Sequence, residues 1–263
     1  MTNTPQQGRT QSSVKISEAA HQHHEELFPN HQSTLKVTDP ELIEIFDNFA
    51  FDEIISLSKF DTKTRVMLIL ASIIGSQAVS EYKVMVGAAL NVGVTPIAVK
   101  EILYQAVPYV GMAKAFDFVH ATNEVLSSRG IQLPLEGQST TSPETRYDKG
   151  LAIQKAVFGE MIDQMYERSP KDQLPIQKFL SANCFGDYYT RNGVDIGVRE
   201  LITLSILIAL GGVESQIKGH IQGNLNVGNG KDILLDLITQ LLPWGGYPRT
   251  LNALKCLNEV ATE

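Results

Sequence analysis

The chain is poor in cysteine and in positive charge. Its 263 residues include two cysteines, Cys184 and Cys256, which lie far apart, so neither a CxxC redox motif nor a zinc-binding pattern is present. The 22 Lys and Arg residues stand against 29 Asp and Glu, and the net charge of −7 provides no basic patch for neutralising phosphates. These shortages argue against a dithiol redox centre, a zinc site and nucleic-acid binding.

Long apolar segments are also missing. Residues 1–14 are polar and lack the apolar core of a secretory signal. The most apolar run, Leu201–Leu210, is far shorter than the roughly 20 residues that cross a bilayer. The sequence therefore predicts a soluble cytoplasmic protein that does not interact with membranes.

Strand-like alternation is absent, which predicts an all-α protein. In Arg199–Asn226, an apolar run precedes the breaker Gly211-Gly212, and a second helix is expected to begin near Glu214. Two parallel lines with a four-residue spacing follow on that helix: an apolar line of Ile217, Ile221 and Leu225, and a polar line of Gln216, His220 and Asn224. Folding the hairpin at the glycine pair brings Glu200 within reach of His220.

An earlier stretch, Thr64–Gly93, repeats the pattern with different polar content. Its apolar line persists as Tyr82, Val86 and Leu90. Its polar line is lost, because the positions of Gln216, His220, Asn224 and Glu200 are occupied by Glu81, Met85, Ala89 and Val66. Since methionine fills the same position, packing alone does not require a histidine at position 220.

Several short motifs carry a family resemblance. They are Arg199-Glu200-Leu201, the Glu214-to-His220 spacing, Gly219-His220, Leu225-Asn226-Val227-Gly228, Gly246-Tyr247-Pro248 and Leu251-Asn252-Ala253. On these residues the chain resembles a tandem member of the carboxymuconolactone decarboxylase family, whose wider group includes the alkylhydroperoxidase D-like proteins. The resemblance implies two tandem copies of an alkylhydroperoxidase D-like helical domain.

The repeat predicts four regions. They are an N-terminal arm at 1–37 that is partly disordered, a degenerate repeat at 38–127, a linker at 128–146 and a second repeat at 147–263 that holds the site. Expected helices include 15–27, 40–51, one that Asp61 caps, and a single amphipathic helix at 147–166. The arm contains His21, His23, His24 and His31, which could bind a metal, but their spacing completes no site and favours a solvated helix face. We predict no metal site.

His220 is the main catalytic candidate. A histidine has an unperturbed pKa near 6.5 and exchanges protons at neutral pH. The alternative is that His220 is a structural, hydrogen-bonded residue. The methionine at the equivalent position of the first copy, Met85, and the family resemblance both favour a catalytic role. Glu200 is a partner by hairpin geometry, whereas Glu214 reaches His220 only if the helix start bends or a neighbouring subunit intervenes. Either glutamate could instead complement the helix dipole.

Four residues are candidates for substrate binding: Arg199, Asn224, Trp244 and Tyr247. Arg199 could hold a substrate carboxylate. However, the degenerate copy also has an arginine at this position, Arg65, which indicates a structural ion pair. Trp244 and Tyr247 could line a pocket or pack in the core.

The resemblance implies a function. The family's named member removes CO2 from a carboxylated lactone without metal or organic cofactor, so a cofactor-independent decarboxylase or related lyase acting on a small carboxylate or lactone is expected. A non-catalytic oligomeric binding protein is the alternative. A thiol peroxidase is disfavoured, because Val213 and Gln216 occupy the positions of that branch's cysteines. Relatives form rings of single-domain subunits, often hexamers, so two fused copies imply a homotrimer.

Overall fold

A computed structural model describes residues 15–31 and 33–262, so the predicted disorder of residues 1–13 lies outside the described residues. Within the described residues every regular element is a helix and there is no strand, which confirms the all-α prediction. None of these helices is long and apolar enough to cross a membrane. The chain divides into two compact units, with the boundary between Ser56 and Leu57.

The described residues of the first unit, 15–31 and 33–56, form α1 (Glu18–Leu27), α2 (Leu35–Thr38), α3 (Pro40–Asn48) and the π-helix Phe49–Glu53. Helix α1 begins where Ser17 caps it, because the Ser17 Oγ accepts a hydrogen bond from the Ala20 N–H at 3.0 Å. Pro40 occupies the first turn of α3, where its missing N–H costs nothing.

The histidines of the first unit take part in its packing. The His23 Nδ1 lies 2.6 Å from the carbonyl oxygen of Phe51. The His24 ring meets the Phe51 ring edge-on at 5.4 Å, and burial lowers the pKa of His24. Over residues 15–31 and 33–262, no group of three or more His, Cys, Asp or Glu side chains is arranged to hold a metal ion.

The second unit contains the remaining helices. A 3-10 helix covers Ile55–Leu57, and it is followed by α4 (Thr62–Gly75), α5 (Val79–Asn91), α6 (Pro96–Val110), α7 (Met112–Ser128), α8 (Arg146–Phe158), α9 (Met161–Arg168), α10 (Leu174–Phe179), the π-helix Leu180–Tyr189, α11 (Ile196–Leu210), α12 (Glu214–Asn226), α13 (Lys231–Gln240), α14 (Leu242–Gly245) and α15 (Tyr247–Val260). The single helix predicted at 147–166 is wrong, since α8 ends at Gly159, whose φ is 66°.

The two repeats begin their central hairpins in the same way. Asp61 caps α4 by accepting a hydrogen bond from the Thr64 N–H at 3.0 Å, and Asp195 caps α11 by accepting one from the Val198 N–H at 3.0 Å. Each capped helix then turns back into the next, α5 or α12. The sequence repeat is therefore a repeat of structure.

The repeats share one core. Helices α4 and α11 pack on each other, and a Cβ placed on Gly75 would lie 2.8 Å from the Cβ of Ala209, its repeat equivalent. Helix α6 packs on α11, while α13 and α14 pack on α4. Because these apolar faces are buried across the repeats, the compact units do not follow the repeats, and the boundaries at 38–127 and 147–263 stay a sequence prediction.

The π-helix Leu180–Tyr189 packs closely against α8. A Cβ on Gly150 would lie 2.0 Å from the Ser181 carbonyl oxygen, and one on Gly186 would lie 2.1 Å from the Arg146 carbonyl oxygen. Glycine at both positions lets the two backbones touch. This contact fixes α8, which carries Phe158, against the segment that carries Tyr189.

Candidate active site

The hairpin of α11 and α12 brings Glu200 and His220 together. Glu200 lies in the first turns of α11, and α12 runs back beside it after Gly211 and Gly212, whose φ angles are 70° and 72°. The Nδ1 of His220 lies 2.9 Å from Oε2 of Glu200. The Glu200 side chain is fully buried and the His220 side chain is 11% exposed.

The contact determines which ring nitrogen is available for chemistry. An ionised carboxylate only accepts hydrogen bonds, so the Nδ1–H of His220 donates to Oε2 of Glu200. The other nitrogen, Nε2, is then the one at which the ring can exchange a proton. A carboxylate in this position also holds the ring in one tautomer and one orientation.

The second oxygen of Glu200 is unusual. Oε1 is buried and has no hydrogen-bond partner among the described residues. A buried polar atom without a partner costs about 1–3 kcal/mol, and more when it is charged. Oε1 can therefore accept a hydrogen bond from a donor that reaches it.

Gly223 on α12 makes room for this carboxylate. A Cβ at position 223 would lie 2.8 Å from Oε2 of Glu200, 2.9 Å from Cγ1 of Val157 and 3.1 Å from Cε1 of Phe158. Any side chain there would push the carboxylate or the aromatic ring away. The glycine is therefore part of the site, although it carries no chemical group.

Asn224 holds the hairpin together. Its Nδ2 donates to the carbonyl oxygens of Glu200 at 3.2 Å and of His220 at 2.7 Å, while its Oδ1 accepts from Nδ2 of Asn229 at 2.8 Å. Asn224 is fully buried. The side chain thus positions the other two residues and is not available to a substrate, in contrast to the sequence prediction.

Two aromatic rings flank His220. Tyr109 lies 5.6 Å and Phe158 lies 5.3 Å from the His220 ring, both edge-on. Both are half-buried. Tyr109 is at the end of α6 and comes from the first repeat.

Sequence reasoning missed Tyr109, although a signal was present. Tyr109 follows Pro108 and precedes Gly111 just as Trp244 follows Pro243 and precedes Gly246, so the two are repeat equivalents. The sequence prediction falls on Trp244 in the second repeat. The ring that lies beside His220 is its equivalent in the first repeat, Tyr109.

Hydroxyl groups continue from Tyr109 into the core. The Tyr109 and Tyr189 hydroxyl oxygens are 2.9 Å apart, and that of Tyr189 is 2.8 Å from the Thr203 hydroxyl. Burial raises the pKa of both tyrosines well above their usual value, and the charge of Glu200 adds to the effect. Both phenols therefore stay protonated at neutral pH.

Cys184 lies next to these phenols but is not activated. Its Sγ is 3.8 Å from the Tyr109 hydroxyl oxygen. Burial raises the pKa of the thiol to about 12. Because the thiolate is the nucleophile, this cysteine is inert at neutral pH.

Arg199 is not placed as a substrate clamp. It is 1% exposed, and its guanidinium donates to Oε2 of Glu101 at 3.0 Å, to Oε1 of Gln105 at 3.0 Å and to three backbone carbonyl oxygens, those of Arg191, Asn192 and Val194. Glu101 and Gln105 lie on α6 of the first repeat. The guanidinium therefore forms a buried ion pair that joins the repeats. This is the structural role that the presence of Arg65 in the first repeat indicated for Arg199.

The other candidates lie elsewhere. Oε1 of Glu214 accepts a hydrogen bond from Nδ2 of Asn252 on α15 at 3.4 Å, so the structure does not bring this carboxylate to His220. Trp244 lies on α14, which packs on α4 of the first repeat. Tyr247 begins α15 and is 57% exposed. Of the predicted group, the structure assembles His220, Glu200 and Asn224.

Comparison with known sequences identifies relatives of both repeats. Residues 40–124 and 175–259 each match the sequence model described as "Carboxymuconolactone decarboxylase family". The chain is also similar to a 4-carboxymuconolactone decarboxylase of Acinetobacter baylyi, with 30% identity over 118 residues, which is 44% of this chain and 87% of the relative.

Proposed function

The chain belongs to the carboxymuconolactone decarboxylase family, and we propose that it is a cofactor-independent decarboxylase or related lyase acting on a small carboxylated lactone or acid. The observation that carries this proposal is the buried contact of 2.9 Å between His220 and Glu200. This pair places a proton-transferring ring nitrogen beside half-buried aromatic walls.

In the proposed reaction His220 supplies the proton that replaces CO2. The carbon–carbon bond to the substrate carboxylate breaks, CO2 leaves, and the electron pair stays on the substrate carbon, conjugated with the lactone carbonyl. The imidazolium Nε2–H of His220 then protonates that carbon, and the ring regains a proton from solvent. Glu200 stabilises the imidazolium, since its carboxylate accepts from Nδ1–H.

The rings beside His220 support a small, flat substrate. Tyr109 and Phe158 offer apolar surface, and the protonated hydroxyl of Tyr109 is a hydrogen-bond donor. The free Oε1 of Glu200 accepts from a hydroxyl or protonated acid group of the ligand. Because Arg199 is paired with Glu101, the groups that orient the substrate in this proposal are Tyr109, Phe158 and Glu200.

The direct test is CO2 release from a panel of carboxylated lactones and small acids, headed by the 4-carboxymuconolactone of the relative's name. We expect turnover of one member by the wild type, with one solvent deuterium incorporated at the carbon that lost CO2 in D2O. His220→Asn should lower kcat by 10²- to 10⁴-fold. Met85→Leu, at the equivalent position, is the matched control and should leave it unchanged.

The second candidate is an oligomeric binding protein, which the degenerate first repeat favours. It predicts ligands that shift the His220 ring signals in NMR spectra without releasing CO2. Binding of the whole panel without turnover would replace the decarboxylase proposal with this one. A wild-type rate that His220→Asn does not change would also reject the proposed site.

We also propose that the chain is a homotrimer. Equivalent positions of the two repeats expose large apolar side chains: Met112 and Phe116 on α7 are each 52% exposed, and Tyr247 and Leu251 on α15 are 57% and 55% exposed. Matched patches suit head-to-tail contacts between the first repeat of one chain and the second repeat of the next. Light scattering should give three times the 29.0 kDa of one chain, and Phe116→Asp should reduce it. A monomeric wild type would refute this assembly.

A further inference from the structure

A cavity of about 420 Å³ lies between α6 and α7 of the first repeat, the linker segment 133–138 and Arg191 of the second repeat. Its apolar wall is formed by Ile97, Val119, Leu133, Pro134 and Leu135. Polar side chains make up the rest of the lining: Lys100, Glu101, Tyr104, Asn123, Glu136, Gln138 and Arg191. A cavity of this size that offers both apolar surface and polar groups is typical of small-molecule sites.

Lys100 is the unusual group in this cavity. It is 8% exposed, and its Nζ donates a hydrogen bond to the neutral amide oxygen of Asn123. Across residues 15–31 and 33–262, no carboxylate lies within ion-pair distance of it. Burial lowers the pKa of Lys100, because the charged ammonium loses its hydration. A buried ammonium without a counter-ion favours a bound anion.

The carboxylate next to Lys100 in sequence does not neutralise it. Glu101 accepts from Nε of Arg191 with both oxygens, each at 3.0 Å, and from Arg199 at 3.0 Å. Arg191 also lies over the ring of Tyr104, 5.1 Å from its centroid. Two arginines thus share one carboxylate, and Glu136, at the rim, is exposed. Both oxygens of Glu101 are thus engaged by arginines, and Lys100 is left without a carboxylate partner in the cavity.

The second repeat does not repeat the polar residues of this cavity. The repeat equivalents of Lys100 and Tyr104 are Leu235 and Thr239, and the segment 133–138 lies in the linker, which occurs once. The cavity is separate from the pair of His220 and Glu200, which does not line it.

We propose that this cavity is a binding site for a small organic carboxylate. Its anionic head pairs with Nζ of Lys100 and with the amide of Asn123, and its apolar body lies against Ile97, Val119 and Leu135. Nothing in this proposal depends on the decarboxylase reaction.

The test uses the full-length protein and simple probes: benzoate and hexanoate, with benzyl alcohol and hexanol as neutral analogues of the same shape. We expect the carboxylates to raise the melting temperature and to bind in calorimetry, and the alcohols not to bind. Lys100→Met should weaken carboxylate binding by about tenfold or more, since a charge-assisted hydrogen bond is lost. Lys114→Met, an exposed lysine on α7, should bind as the wild type does.

Two further measurements locate the site. His220→Asn should bind the carboxylates with unchanged affinity, which separates this cavity from the proposed catalytic site. Methyl NMR of the wild type should show shifts at Ile97, Val119 and Leu135, whether or not the Lys100 variant folds. The proposal is wrong if no carboxylate binds, if Lys100→Met binds as tightly as the wild type, or if these methyl signals stay unchanged at saturation.

Discussion

In the first repeat the space between α4 and α5 holds Val66 and Met85, whereas in the second the equivalent space between α11 and α12 holds Glu200 and His220. All four side chains are buried or nearly so. The apolar pair gains stability from burial, while the polar pair carries the cost of desolvating a carboxylate. The same backbone accepts either pair, so the polar pair is retained for what it does and not for packing.

Residues next to the polar pair also differ between the two repeats. Gly223 leaves room for the Glu200 carboxylate, and its equivalent in the first repeat is Ala88, where no carboxylate needs the space. Asn224 ties Glu200 to His220 through their carbonyl oxygens, and its equivalent is Ala89. The second repeat therefore carries a coordinated set of residues, and the first repeat lacks all of it.

The first repeat still takes part in the site of the second. Its helix α6 supplies the Tyr109 ring beside His220 and the Glu101 carboxylate that holds Arg199. The surroundings of His220 and Arg199 therefore include residues of both repeats.

The largest expected effect comes from copying the first repeat's pair into the second. Glu200→Val with His220→Met removes the proton-transferring ring, so we expect kcat to fall by 10²- to 10⁴-fold. The melting temperature should stay the same or rise, because the buried carboxylate of Glu200 and its partner His220 are both replaced by apolar side chains. CO2 release and thermal unfolding measure the two effects. An active double variant would falsify the catalytic assignment.

Arg199→Ala should affect stability and leave substrate affinity unchanged. Removing the buried guanidinium leaves Gln105 and three backbone carbonyl oxygens without its hydrogen bonds, so we expect a loss of about 3–5 kcal/mol. Urea unfolding measures the loss, and Arg168→Ala on the exposed surface of α9 should stay within about 0.5 kcal/mol of the wild type. If Arg199→Ala raised KM without loss of stability, the result would instead support Arg199 as the residue that binds the substrate carboxylate.

Gly223→Ala copies Ala88 and should displace the carboxylate that contacts His220. The added methyl group would lie 2.8 Å from Oε2 of Glu200, so we expect about 1–3 kcal/mol of destabilisation together with reduced kcat. Gly219→Ala on the same helix is the control, because nothing lies within 4 Å of its Cβ position and alanine favours the helix by up to about 1 kcal/mol. Equal effects of the two variants would contradict the close packing at Gly223.

The smallest effect concerns Cys184, whose equivalent is Ala50. The thiol has a pKa of about 12 in the folded protein against 9.0 for an exposed cysteine, so the unfolded chain loses its proton first. The stabilising contribution is complete below pH 9 and is lost as the pH rises from 9 to 12. Relative to Cys184→Ala, the wild type should lose about 1 kcal/mol of unfolding free energy between pH 8 and 10. Alkylation of Cys184 by iodoacetamide in the folded protein at pH 8 would contradict this.

The parts of the site that were predictable lie close together along the chain. The Gly211-Gly212 turn, the four-residue spacing on α12 and the Asp195 cap are local, and together they were enough to place Glu200 against His220. Prediction from the spacing of apolar residues fails where the backbone departs from the regular α-helix. The π-helix Leu180–Tyr189 and the break at Gly159 leave no clear trace in the apolar pattern.

The sequence by itself determined the all-α class, the family, the repeat and the hairpin that carries Glu200 and His220, because helix periods, caps and breakers act over a few residues. Only the tertiary structure decided that Tyr109 comes from the other repeat, that Arg199 pairs with Glu101, and that Trp244 lies on a helix packed against the first repeat. Those outcomes depend on how α6 and α14 cross the shared core of α4 and α11. Such crossings bury apolar faces from distant parts of the chain, and no local pattern records which side chains meet there.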